Sequence, residues 1–78
     1  MTEALRIEAG ERSADELLDR LQNGIRIVIE YEFLGNTHEI TLRYDGDVYY
    51  CDTPTTLHRH RTQDGMRSCL ESQGYCKS

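Results

Sequence analysis

Residues 25–33 read Ile-Arg-Ile-Val-Ile-Glu-Tyr-Glu-Phe, and this alternation narrows the possible folds more than any other stretch. On an extended chain Ile25, Ile27, Ile29, Tyr31 and Phe33 share one side, with Arg26, Glu30 and Glu32 on the other. Such a strand belongs to a sheet with one face in water, and its apolar face needs a cover. Residues 38–44 alternate again, with Ile40, Leu42 and Tyr44 inward, and Gly35-Asn36 is a tight-turn pair between the two runs. Asp45-Gly46 is the strongest hairpin signal, because both central positions of a type I′ turn need positive φ. A third strand, Asp47 to Cys51, completes an antiparallel meander. Val48 and Tyr50 are expected inward, leaving Tyr49 and Cys51 on the opposite side.

The cover comes from two amphipathic helices. Residues 4–9 first form a short strand, Leu5 and Ile7 alternating with Arg6 and Glu8. Ser13-Ala14-Asp15-Glu16 then reads as a capping box, in which hydroxyl and carboxylate satisfy orphan N–H groups. Ala14, Leu17, Leu18 and Leu21 line one helical face, and Gly24 suits the left-handed position past its end. Leu57 to Arg61 is a short edge strand or irregular. Thr62 is a second N-cap, Asp64 complements the helix dipole, Met66, Cys69, Leu70 and Gln73 share a face, and Gly74 ends the helix. The expectation is one α+β domain over residues 1–78, in the order β-α-β-β-β-α, an antiparallel meander with both helices on one face. A chain this short buries only about 60% of its unfolded surface. A homodimer through an exposed strand edge would ease that shortage.

Charge narrows the function classes. There are 14 acidic residues against nine basic ones, and Lys77 is the only lysine. This balance fits proteins of salt-accumulating cells, where surface carboxylates hold water. At molar salt the Debye length is about 3 Å, and phosphate-driven binding falls steeply. Nucleic acid is therefore an unlikely partner, although helix-strand-strand-strand-helix over residues 13–73 is the order of a double-stranded-RNA-binding domain. Thr62-Gln63-Asp64-Gly65, where that family places lysines, is acidic and lysine-free. Met1-Thr2-Glu3 begins no targeting signal and no apolar run reaches membrane-spanning length, so a cytoplasmic location is expected. Three cysteines, an odd count, argue against a disulfide framework there.

Residues 49–60, Tyr-Tyr-Cys-Asp-Thr-Pro-Thr-Thr-Leu-His-Arg-His, hold the densest chemistry. His58 and His60 would point the same way on an extended segment, and with Cys51 they could chelate zinc. The spacing matches no standard finger, and Cys-x2-Cys is absent. Cys51 with a histidine base and Asp52 supplies the parts of a thiol nucleophile, but a domain this small offers little room for a cleft. No enzymatic activity is expected. Cys69 reads as core, whereas Cys76 lies in the tail, exposed or paired between chains. Tyr50, Asp52, His58 and Arg59 form the candidate surface for an unknown protein or small ligand, since tyrosine and arginine recur at interface hot spots.

Phe33-Leu34-Gly35, Leu42-Arg43-Tyr44-Asp45-Gly46, Tyr49-Tyr50-Cys51-Asp52-Thr53-Pro54, Leu57-His58-Arg59-His60 and Gln73-Gly74-Tyr75 also carry a resemblance. The chain resembles a family of small uncharacterised proteins of halophilic archaea. The resemblance implies no activity, cofactor or catalytic residue. The function expected from the residues themselves is a non-enzymatic protein-interaction or small-ligand-binding module. A zinc-binding domain is the alternative.

Overall fold

The computed structural model describes residues 4–77. Five strands, β1 (Ala4–Glu8), β2 (Arg26–Phe33), β3 (Asn36–Tyr44), β4 (Tyr49–Asp52) and β5 (Leu57–His60), form one sheet in chain order. Helix α1 (Ala14–Gln22) lies between β1 and β2, and α2 (Gln63–Gln73) follows β5. The α+β architecture is the expected one, with one open alternative decided and one difference. Leu57–His60 is a true edge strand paired with β4. The sheet is also mixed: β1 runs parallel to β2, while every later pair is antiparallel. The α1 crossover returns the chain to the end from which β1 started, which a tight hairpin cannot do.

Both helices pack on one face of the sheet. Leu17, Leu18 and Leu21 of α1 and Met66 and Leu70 of α2 are fully buried against Ile27, Ile29, Ile40, Leu42 and Cys51. Both N-caps form as expected. Ser13 Oγ accepts from the Glu16 N–H at 3.3 Å, and Thr62 Oγ1 from the Gly65 N–H at 3.0 Å. Only half of the capping box is present, because the Glu16 carboxylate is ion-paired with Arg12. Gly74, at φ 75°, ends α2, and the Tyr75 N–H closes onto the Leu70 carbonyl at 3.0 Å. The tail then returns along the start of α1, where Lys77 N–H donates to Arg12 O at 2.6 Å. Cys76 is thereby buried, not exposed as is expected of a tail residue. Among the described residues, no helix is long and apolar enough to cross a membrane.

Both hairpins differ from the expected turns. Phe33 pairs with Asn36, so the first turn is Leu34-Gly35 rather than Gly35-Asn36, and both residues have positive φ. Tyr44 pairs with Tyr49, and the second connection runs Asp45–Val48. There Asp45 Oδ1 accepts from the N–H groups of Asp47 and Val48, each at 2.8 Å. This register fixes the faces of β4. Leu42 and Tyr44 point to the helices, so their partners Cys51 and Tyr49 do too. Tyr49 and Cys51 are the buried pair and Tyr50 faces out, the reverse of the expected orientation.

Candidate functional site

The 49–60 block is divided between the two faces of the sheet. Tyr50, Asp52 and Arg59 lie on the open face, and Cys51, His58 and His60 on the helix side, because cross-strand partners share a face. Three of the four residues expected to form a recognition surface therefore stay together, and His58 is separated from them.

On the open face, one row across the strands runs Arg43, Tyr50, Arg59, set by the register of β3, β4 and β5. The Arg43 guanidinium carbon stands 4.2 Å from the centroid of the Tyr50 ring, a cation–π contact. Tyr50 donates its phenolic proton to Asp45 Oδ2 at 3.1 Å, which fixes the far end of the ring. The Asp45 carboxyl is held below its usual range, first by the Val48 and Asp47 N–H groups and less by Tyr50 and Arg43. Among the described residues, Arg43 and Arg59 have no carboxylate within ion-pair distance, whereas Arg6, Arg12 and Arg67 all do. Further along the same face the sign reverses. Glu8, Glu30 and Glu39 lie side by side, and Arg6 bridges Glu30 and Glu39.

On the helix side, Cys51 is sealed under α2 with no exposure, and burial pushes its thiol up to about 12, aided by neighbouring Cys69. Asp52 points to the other face, so the parts of a thiol nucleophile are not assembled. The rings of His58 and His60 lie parallel, 6.5 Å apart. His60 Nε2 is enclosed without a hydrogen-bond partner, and burial, with His58 nearby, lowers the His60 pKa. Among the described residues no three His, Cys, Asp or Glu side chains gather closely enough to hold a metal ion.

A second feature escaped the sequence reading. Beyond the end of β1, Tyr31, Phe33, Gln73 and Tyr75 line two adjoining hollows of about 420 and 410 Å³. The second extends to His58 and the Pro54 turn. Tyr31 stacks on His38 at 5.3 Å and tilts against Tyr75 at 6.1 Å. The aromatic members come from β2, β3 and the tail, too far apart in sequence to form a visible motif. Arg43 was more accessible, since it follows from pairing Leu42 with Cys51.

No curated protein and no solved structure matches the chain. The whole chain, residues 1–78, matches a family of unknown function, DUF8001, and the chain belongs to that family.

Proposed function

We propose that the chain is a non-enzymatic protein-interaction module whose open sheet face takes carboxylates of an acidic partner segment between Arg43 and Arg59, across Tyr50. The observation that carries this reading is the Arg43–Tyr50 stack, a cation held over an aromatic ring with no carboxylate of its own among the described residues. The ring engages the guanidinium through its face and leaves its in-plane N–H groups free for a bidentate carboxylate contact. Asp52, toward the acidic side of the same face, sets the orientation by repelling a second partner carboxylate. An extended nucleic-acid backbone suits the surface less well, because it would run from the arginine row onto Glu30 and Glu39. The acidic, lysine-poor composition supports a salt-rich cytoplasm as the setting. Short contacts at a stacked platform survive screening better than long-range steering does.

Titrating a glutamate-rich peptide into isotopically labelled protein, with a lysine-rich peptide and a single-stranded oligonucleotide as controls, tests this reading. Chemical-shift changes should centre on residues 43, 50 and 59. The double variant Arg43→Ala/Arg59→Ala should bind about 10-fold more weakly or worse, the scale of one or two charge-assisted hydrogen bonds. Absence of shifts with the acidic peptide at millimolar concentration, or equal binding by the double variant, would overturn it.

The alternative reading, zinc held by His58, His60 and Cys51, has one observation in favour, the unpartnered Nε2 of His60. Against it, among the described residues no three His, Cys, Asp or Glu side chains gather closely enough to hold the ion. Metal analysis of protein purified without chelator decides it, and absence of zinc ends it.

A further inference from the structure

The tip of the β2–β3 hairpin combines two features that folding of a single chain disfavours. Leu34 adopts φ 54° next to Gly35 at φ 79°. A type I′ turn needs such angles, and Gly, or Asn and Asp with their local side-chain hydrogen bonds, ordinarily supplies them, because Cβ crowds the following carbonyl oxygen in the left-handed backbone. Leu34 is also 84% exposed and Phe33 60%, the two most exposed of the large apolar residues described. The turn thus holds a strained residue whose apolar side chain contributes nothing to the core. Backbone strain of this kind clusters at sites of binding and switching.

A receptor for that tip lies beside it. Phe33 lines both hollows described above, together with Tyr31, Gln73 and Tyr75. Knob and groove are thus contiguous on one surface and share a residue. We propose that two copies of the chain dock through this surface, the Phe33-Leu34 tip of each filling the Tyr31–Tyr75 groove of the other about a two-fold axis near Phe33. The second copy is the occupant that the arrangement fits. A knob next to its own kind of groove is self-complementary, and a two-fold exchange closes without leaving an open end. Each hollow is large enough for a leucine side chain, and burial of two apolar tips supplements the small core of a chain of 78 residues. The surface is separate from the Arg43–Tyr50–Arg59 row, so either can fail alone.

Electrostatics gives the interface a signature. Each copy carries a net charge of −5, and Glu8, Glu30 and Glu32 border a further hollow that adjoins the groove at Ala9 and Tyr31. Apolar docking between two acidic molecules strengthens as salt screens their repulsion, whereas pairing of arginine and glutamate rows weakens.

Sedimentation equilibrium from micromolar to millimolar protein, at low and at molar salt, tests the proposal with two variants. Leu34→Asn suits the left-handed backbone, so it should melt at or above the parent's temperature while associating at least tenfold more weakly. Gln73→Glu, at an exposed position on the groove rim, adds a like charge to an acidic interface and should weaken association with the tip intact, most at low salt. The proposal predicts a monomer–dimer equilibrium that tightens with salt. A parent that stays monomeric at every concentration and salt overturns it, and so does a Leu34→Asn variant that dimerises as the parent does.

Discussion

Substituting Cys51 separates a core thiol from a metal ligand, because the two roles rank the variants differently. In the structure Cys51 has no exposed surface and packs into the main apolar cluster beside Cys69. Cys51→Ala removes one sulfur and leaves a small void, which amounts to about 1 kcal/mol of lost burial. Cys51→Ser keeps the volume but puts a hydroxyl where a weakly polar thiol was. A buried hydroxyl without a good partner costs about 1–3 kcal/mol. Serine should therefore be the worse substitution. For a domain of this size each kcal/mol shifts the melting temperature by about 4–8 °C. The predicted order is parent, alanine, serine, measured by thermal circular dichroism with and without chelator. The folded thiol, pushed up to about 12, should also resist alkylation at neutral pH until the chain unfolds. Chelator that lowers the parent's melting temperature but neither variant's would refute the core assignment. So would rapid alkylation of Cys51 in the native state, or a serine variant more stable than alanine.

Two pH effects occupy separate windows. The His60 pKa is lowered on folding, so the unfolded chain binds more protons and stability falls as pH drops below about 6.5. His60→Gln should flatten that part of the urea-midpoint profile, and an unchanged slope would mean that Nε2 is not enclosed as described. The Asp45 carboxyl is lowered from 3.8, so its contribution is complete above that value and lost as pH falls through the folded pKa. Asp45→Ala should remove this acid limb and loosen the Asp45–Val48 loop, seen as faster amide exchange at Asp47 and Val48.

Much of the fold could be read from the sequence because it is specified locally. The Ser13 and Thr62 caps, the apolar stripe Leu17-Leu18-Leu21 and the alternation through Ile27 and Ile29 each depend on neighbours within one or two turns or along one strand. The face of β4 does not. Val48-Tyr49-Tyr50-Cys51 offers apolar or aromatic character at every position, so its own pattern cannot choose a side. The choice is made across the strand gap, where Leu42 and Tyr44 are already committed to the helices and their partners must follow. A side-chain period of two means that one reversed assignment moves every residue of the strand.

Alternation along β4 and β5 splits the candidate site whichever face each strand shows, and the reversal decides which part lies in the open. Asp52 points away from Cys51, and His58 goes with Cys51 away from Tyr50 and Arg59. With Tyr50 outward, its neighbours become Arg43 and Arg59, and a mixed polar cluster becomes a cation–aromatic row. The groove was hidden for a different reason. Tyr31, His38 and Tyr75 meet only because β2 and β3 extend past the end of β1 while Gly74 turns the tail back beneath them. One local trace of it remained in the sequence. Phe33-Leu34 sits where a hairpin turn should carry polar or glycine residues, and apolar side chains placed there without a core to enter point to contact with something outside the fold.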